Sequence, residues 1–170
     1  YLDTKNGLCA ALPARELPFR LANDGSLGER ARLQANALVE AGWLSRQASE
    51  MKSMFGTSTV PAGEYALTSK GKKFLVEGGA ETIAGQAAFC TGKFRVTEVD
   101  TFTEPSEMMG VKLSQVNFRY KVEDADSWAR SKEVQASYRN LADQAKDEID
   151  GKATLVLTND GWMHERLFKR

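Results

Sequence analysis

The clearest pattern along the chain is an alternation of apolar and polar residues between Phe94 and Val122. In the second half of this stretch, every other residue is apolar, which places four side chains on one face of a pleated strand. These four are Val116, Phe118, Tyr120 and Val122. We therefore expect two long strands joined by a loop at residues 104–110.

Each half of this hairpin contains a shift in the alternation. Phe94 and Val96 stand at even positions and Val99 at an odd one, while Val111 and Leu113 differ in parity from the apolar residues that follow them. One extra residue in a strand moves all later side chains to the other face. We therefore predict a β-bulge in each half and a strongly twisted ribbon that curls around another part of the protein. The alternative is two ordinary strands with a few exposed apolar residues.

The sequence after the hairpin predicts a helix over residues 127–148 and two more strands. An apolar stripe with helical spacing is expected to pack this helix on one face of the sheet. Acidic residues crowd the end of the helix and oppose its dipole, so we expect a shorter helix or a frayed last turn. Strands at 153–158 and 162–168 flank a turn signal at 159–161. The stripe consists of Val134, Tyr138, Leu141 and Ala145.

The sequence before the hairpin predicts a smaller unit built around one helix. Ser26 and Glu29 fit a capping box, in which each side chain satisfies a backbone N–H at the helix start. Gly42 ends the predicted helix, which spans residues 26–41, and Trp43 is expected to fold back over the core.

A small, polar and flexible stretch around residues 78–85 is the best candidate for a boundary between two units. We therefore divide the chain into units at 1–80 and 86–170. The predicted fold class is α+β. It consists of a helix-plus-hairpin N-terminal unit packed on a C-terminal antiparallel sheet of about four strands with one covering helix.

The helix and the lysine-rich segment after it carry a first resemblance. LVEAGWL at 38–44 and YALTSKGKKFL at 65–75 resemble the helix–wing segment of winged-helix domains, a likeness that extends over residues 26–76. It implies that the helix reads DNA and that three lysines contact phosphates, namely Lys70, Lys72 and Lys73. The alternative is that the pattern serves packing and the lysines are solvated. Because the outer face of the helix mixes acidic and basic residues, nucleic acid is not the favoured partner.

The composition sets few limits on partners. Lys and Arg together number 23, as do Asp and Glu, so no net field draws the protein toward nucleic acid or anionic lipid. One His and two Cys are too few for a structural zinc site, and we expect no metal and no cofactor. No apolar run approaches the roughly 18 residues needed to span a bilayer.

Cys9 and Cys90 leave two interpretations open. They are either two buried free thiols or the partners of a disulfide. A disulfide would close a loop of about 80 residues and contribute about 4 kcal/mol through the entropy of the unfolded chain. It would also imply an oxidising compartment. The sequence starts at Tyr1, so we expect any signal peptide or lipid-attachment cysteine to lie upstream.

Several short runs in residues 89–166 carry a second resemblance. They are FCTGK at 89–93, FTEP at 102–105, VNFRY at 116–120, WA at 128–129, EVQ at 133–135 and LTNDGW at 157–162. Together they resemble a family of uncharacterised proteobacterial envelope lipoproteins. The resemblance implies an exported periplasmic or outer-membrane protein that contacts the membrane only through a lipid anchor upstream of Tyr1. It implies no catalytic residues.

The search for chemistry along the chain finds no nucleophile-elbow, P-loop or dinucleotide-binding motif. The single histidine, His164, is expected to be a surface residue of the last strand, paired with Glu165 or a cross-strand neighbour, rather than a catalytic base. No catalytic residue is predicted. The hairpin loop is a candidate partner-binding site because methionines adapt to varied surfaces. Its residues are Glu104, Pro105, Met108 and Met109. The alternative is that this tip folds back onto the core.

These patterns lead to a hypothesis of a non-enzymatic exported lipoprotein that binds an unknown protein or envelope partner. The alternative hypothesis is a winged-helix DNA-binding regulator with a C-terminal sensing domain. Thiol counting under non-reducing conditions distinguishes the two, since an exported protein would keep a disulfide.

Overall fold

The computed structural model describes residues 1–23, 25, 28–53, 57–79, 85–108 and 110–169. All of its strand pairs are antiparallel, and its few helices are short, so the predicted α+β class is confirmed. The strands are β1 (Leu8–Ala11), β2 (Phe19–Ala22), β3 (Leu44–Lys52), β4 (Thr59–Leu67), β5 (Leu75–Val76), β6 (Ala88–Thr91), β7 (Lys93–Phe102), β8 (Ser106–Met108), β9 (Val111–Glu123), β10 (Ile149–Thr158) and β11 (Gly161–His164). The helices are α1 (Glu29–Glu40), α2 (Lys132–Ser137) and α3 (Arg139–Gln144), with 3₁₀ turns at Leu2–Thr4, Gly71–Lys73, Ser127–Arg130 and Glu165–Leu167.

Two small sheets form the N-terminal part of the fold. One has the strand order β1-β6-β5 and the other β2-β4-β3. In the first sheet, Cys9 stands directly opposite Cys90, and the two are joined by a disulfide with Cα atoms 4.1 Å apart. The disulfide interpretation is therefore confirmed, and the alternative of two free thiols is wrong.

Helix α1 packs its inner face into this part of the molecule. Ala35, Ala37 and Leu38 are buried, and Trp43, just past the helix, is fully buried as predicted. Gly42 has a φ of 78°, the left-handed conformation that commonly ends a helix. The predicted capping residue Ser26 lies outside the described residues.

The C-terminal sheet has the order β11-β10-β9-β7, with β8 added at the start of β9. The loop predicted at 104–110 thus contains a short strand of its own. The predicted alternation in β9 is confirmed, because its apolar side chains oppose apolar residues of β7. The pairs are Phe94 with Val122, Val96 with Tyr120, Val99 with Phe118 and Phe102 with Val116.

The two predicted bulges have different outcomes. The register of β7 against β9 shifts between Val96 and Glu98 and again between Val99 and Thr101, so the irregularity predicted in the first half is confirmed. Strand β9 keeps an unbroken register with β10 from Leu113 to Tyr120, so the bulge predicted in the second half is wrong. Leu113 has the opposite parity because it faces the other side of the sheet, where it pairs with Val156.

The helical segment at 127–148 is broken into a 3₁₀ turn, α2 and α3, with an irregular residue, Tyr138, between the two helices. All four residues of the predicted stripe are buried, and the segment ends early, at Gln144, as expected. Its packing partner differs from the prediction, because α2 contacts α1 and α3 contacts β1. Tyr138 also donates a hydrogen bond from its hydroxyl to the carbonyl oxygen of Ala11, at 2.9 Å. The helical segment therefore packs mainly on N-terminal elements, and it shares one buried cluster with Phe94 and Val122 of the C-terminal sheet.

One hydrophobic core contains residues from both predicted units. Leu8, Leu38 and Trp43 pack with Phe89, Trp128 and Leu141 in a single buried cluster, to which the C-terminal sheet contributes Phe94 and Val122. The division at 78–85 stays a prediction, and residues 80–84 lie outside the described part. Among the described helices, none is long and apolar enough to span a bilayer.

Candidate functional site

The part of the C-terminal sheet that extends beyond the core exposes a row of large apolar side chains on one face. Phe102 is 74% exposed, Val99 55% and Trp162 43%. Cross-strand pairing places these residues on the same face as Val116 and Leu155. Contiguous apolar surface of this kind is unusual on a folded protein, which makes this face a candidate binding site.

This face forms two adjoining concavities, which together we call the apolar groove. The first has a volume of about 380 Å³ and is lined by Val99, Phe102, Thr103, Pro105, Ser114, Val116, Leu155 and Trp162. The second, of about 300 Å³, shares four of these residues and extends over Val96, Phe118 and Ala153 to Tyr1, Leu2, Asp3 and His164. Both volumes fall at the lower end of the range for small-molecule sites.

Two backbone features of the sheet shape the groove. The register shifts in β7 bring Val99 opposite Phe118. Phe94 pairs with Val122, and from that pair Val99 is an odd number of residues along β7 whereas Phe118 is an even number of residues along β9. Without a bulge Val99 would point to the other face. On β10, Gly151 stands opposite Phe118, and the aromatic ring occupies the space above the glycine. The ring therefore lies along the sheet and forms part of the groove wall.

One end of the groove is polar and carries positive charge. Tyr1 stacks on His164 with ring centroids 4.1 Å apart, and Arg166 donates a hydrogen bond from Nη1 to the Tyr1 hydroxyl at 2.8 Å. The Lys5 ammonium lies 5.4 Å from the centroid of the Tyr1 ring. We call Lys5 and Arg166 the cationic end of the groove.

The pKa shifts at this end agree with a positive local potential. Burial alone would raise the pKa of Tyr1, but hydrogen bonds from Arg166 and Lys5 outweigh burial and lower it. The pKa of His164 is also lowered, first by burial, then by the positively charged amino group of Tyr1 and last by Arg166, while Glu165 opposes the shift. The Nδ1 atom of His164 accepts a hydrogen bond from the backbone N–H of Arg166 at 3.1 Å.

On the opposite face of the sheet, Arg119 forms a cluster of ion pairs. Arg119 contacts Glu98 at 2.5 Å, Asp100 at 2.8 Å and Glu148 at 3.3 Å. Asp100 and Glu148 raise the pKa of Arg119, with the hydrogen bond to Asp100 as the largest cause. Exposed pairs of this kind contribute little to stability individually. Within the described ranges, no group of three or more His, Cys, Asp or Glu is placed to hold a metal ion.

The predicted partner-binding loop lies at the far end of the groove. Glu104 and Pro105 are exposed between β7 and β8, and Pro105 lines the groove. Met108 ends β8 opposite Val111 and is 59% exposed, so this methionine does not fold back onto the core. Met109 lies outside the described residues. The role of the loop in binding stays a prediction.

The apolar residues of the hairpin were expected in a covered sheet face, so the groove was not predicted. One signal was present in the sequence. The helical stripe at 134–145 contains four apolar residues, which is far fewer than the sheet face would need for complete cover. The stacking of His164 on Tyr1 carried no signal, because it depends on bringing together residues from the two ends of the sequence.

Comparison of the chain with models of known protein families, with curated proteins and with solved structures found no match. The likeness to envelope lipoproteins and the likeness to winged-helix domains both remain predictions. Inferences about function therefore rest on the groove, its charged end and the disulfide.

Proposed function

We propose that the protein is a non-enzymatic, exported bacterial lipoprotein that binds the hydrocarbon chain of an amphiphile in the apolar groove. The observation that carries this proposal is the exposure of Val99, Phe102 and Trp162 in a concave, apolar surface that no other described element covers. A binding protein needs such a surface, whereas a purely structural domain would bury it.

The shape and lining of the groove favour a hydrocarbon chain over a protein surface. Residues 1–3 border one part of the groove, and Thr103 and Pro105 border the other, so the site is concave rather than flat. Its floor consists of aliphatic and aromatic side chains. Burying each CH₂ group of a ligand there contributes about 0.8 kcal/mol before the cost of association. The cationic end supplies the complementary charge for the head of an amphiphile.

The disulfide and the lipoprotein resemblance support the exported location. Disulfides persist in the periplasm and outside the cell, whereas the cytosol keeps thiols reduced. The Cys9–Cys90 bond therefore fits a protein of the cell envelope, periplasmic or attached to the outer membrane. The resemblance adds a lipid anchor upstream of Tyr1 as the means of attachment.

Expression of the complete gene from its own start tests this location. We expect the protein in the envelope fraction, labelled by radioactive palmitate and without free thiols when denatured under non-reducing conditions. Two free thiols in material taken from its native compartment, or a protein confined to the cytosol, would count against export.

The environment of His164 supports a binding role without catalysis. In a Ser-His-Asp triad, one ring nitrogen donates a hydrogen bond to a carboxylate that orients the imidazole. Here Nδ1 of His164 accepts from the backbone N–H of Arg166, and the ring stacks on Tyr1. We therefore assign His164 to the wall of the groove.

Titration with decanol tests the groove directly. We expect one decanol molecule to bind per protein and to change the fluorescence of Trp162. Decanol binding should be lost in Val99→Glu, because this variant places a charge in the apolar floor of the groove. The matched control is Thr101→Glu, which adds the same charge two positions along β7, opposite Asn117 on the polar face. Decanol binding that survives Val99→Glu, or no binding to the unaltered protein, would reject the proposal.

The alternative proposal is a winged-helix DNA-binding regulator with a C-terminal sensing domain. It is supported by strand β2, which pairs with β4, and by helix α1, which leads into the β3–β4 hairpin. Lys72 and Lys73 are exposed after this hairpin. Salt-dependent binding to duplex DNA that is lost in Lys72→Glu/Lys73→Glu would favour this role. Absence of binding at low salt would exclude it.

A further inference from the structure

We propose that the ligand of the groove is a fatty-acid-like anion, whose hydrocarbon chain lies along the apolar floor and whose single carboxylate binds Lys5 and Arg166. This inference rests on the proposed function, since it requires that the groove take a hydrocarbon chain. It adds the charge and the orientation of the ligand.

The orientation follows from the continuity of the groove. Its second concavity is lined by Val99 and Trp162 from the apolar floor and also by Tyr1 and His164. A chain that starts near Phe102 therefore runs along the sheet and ends beside Tyr1. The guanidinium of Arg166 and the ammonium of Lys5 lie at that point, since both contact Tyr1.

Arg166 differs from the other arginines of the sheet region in its partner. Arg95, Arg119 and Arg130 each lie within 4.0 Å of a carboxylate. Within the described residues, Arg166 has no carboxylate at this distance, and its guanidinium instead contacts the Tyr1 hydroxyl and ring. Arginine binds carboxylates through a planar fork of N–H donors, and one bond to Tyr1 leaves donors for a ligand.

The surrounding charges favour one negative charge on the ligand. The lowered pKa of Tyr1 reflects a positive potential at its hydroxyl, next to the end of the groove. Asp3 lines the same end, and Glu165 lies next to His164 in the chain. These two acidic residues limit the net positive charge, so a monoanionic carboxylate fits better than a dianionic phosphate monoester.

Four ligands with the same ten-carbon chain separate the contribution of the chain from that of the head. They are decanoate, decanol, decyl phosphate and decyltrimethylammonium, each titrated below its micellar concentration by calorimetry at a pH where decanoate is ionised. We expect decanoate to bind most tightly, decanol about fivefold more weakly, and the cationic ligand most weakly of all. Adding salt should reduce only the advantage of decanoate.

Two single variants and their double variant test the residues of the cationic end. Lys5→Gln and Arg166→Gln should each weaken decanoate binding about three- to fivefold, while decanol binding stays unchanged. Unchanged decanol affinity also shows that the variants fold. The matched control is Lys152→Gln, which removes a positive charge opposite Asn117, on the other face of β10, and should bind decanoate as the unaltered protein does.

Each outcome either supports or overturns the inference. Equal affinities for decanoate and decanol would overturn the anionic head while the groove proposal stands. A decanoate advantage that persists in Lys5→Gln/Arg166→Gln would overturn the assignment of the two cations. Tighter binding of decyl phosphate than of decanoate would overturn the carboxylate. If none of the four ligands binds, the inference and the proposed function both fail.

Discussion

The aromatic ring of Phe118 lies over Gly151 on the neighbouring strand, in the space where another residue would have its side chain. A Cβ atom at Gly151 would stand 2.5 Å from Cε2 and from Cζ of this ring, which is far inside van der Waals contact. The glycine therefore allows the ring to lie flat along the sheet. In this position Phe118 lines the groove instead of filling it.

We expect Gly151→Val to push the ring of Phe118 into the groove. The change should destabilise the protein by about 1–3 kcal/mol through overpacking and should weaken decanol binding. Urea unfolding and calorimetric titration measure the two effects. Lys152→Val, one position along on the opposite face, is the control and should leave binding intact. Unaltered decanol affinity in Gly151→Val would show that Phe118 does not shape the site.

Removal of the disulfide should lower stability substantially. Loop entropy predicts that Cys9→Ala/Cys90→Ala loses about 4 kcal/mol in the free energy of unfolding, because the bond closes a loop with a sequence separation of 81. Urea titration followed by circular dichroism gives this value. Dithiothreitol should destabilise the unaltered protein by a similar amount and leave the variant unaffected. A loss below about 1 kcal/mol would contradict the entropic account.

The salt bridges of Glu123 predict a pH-dependent contribution to stability. Hydrogen bonds from Lys121 and then Arg95 lower the pKa of this carboxyl from its ordinary value of 4.5. Because the folded state favours the ionised form, the contribution is present above pH 4.5 and is lost as the pH falls through the lower folded-state pKa. Glu123→Gln should therefore melt below the unaltered protein at neutral pH.

That difference in melting temperature should close under acidic conditions, as thermal unfolding across the pH range would show. The control is Glu104→Gln in the exposed loop, which should match the unaltered protein at every pH. A constant difference for Glu123→Gln down to the lowest pH would mean that ion pairing is not its cause.

The contact between Trp43 and Trp128 predicts that the two halves of the chain unfold together. Their rings meet edge to face with centroids 3.8 Å apart, and both side chains are buried. Trp128→Ala should cost about 3–5 kcal/mol, since a large buried side chain is removed. Trp162→Ala makes the same change at an exposed site and should cost far less. Separate transitions by circular dichroism and Trp162 fluorescence would argue against one shared core.

Local patterns predicted those features that depend on neighbouring residues. The alternation from Val116 to Val122 follows from the pleat of one strand, and the odd position of Val99 disclosed a bulge for the same reason. Both are properties of a few adjacent residues. The equivalent inference from Leu113 was wrong, because a parity change also arises when a strand has apolar residues on both faces.

Features that depend on distant residues were not predictable. The stripe from Val134 to Ala145 predicts that one face of the helical segment is buried, but it does not identify the element against which this face packs. In the structure, the segment contacts α1 and β1. The disulfide was predicted only as one of two interpretations, because no local pattern fixes the register of β1 against β6 that brings the cysteines together.

The bond between Cys9 and Cys90 turns the first half of the chain into a covalent ring. A protease that cuts once inside this ring, for example after Lys72 on the exposed turn, opens the ring without separating the molecule into pieces. A nicked chain would therefore migrate as one species on a non-reducing gel and as two after reduction. The sheet with its groove would therefore stay joined to the N-terminal residues after such a cut.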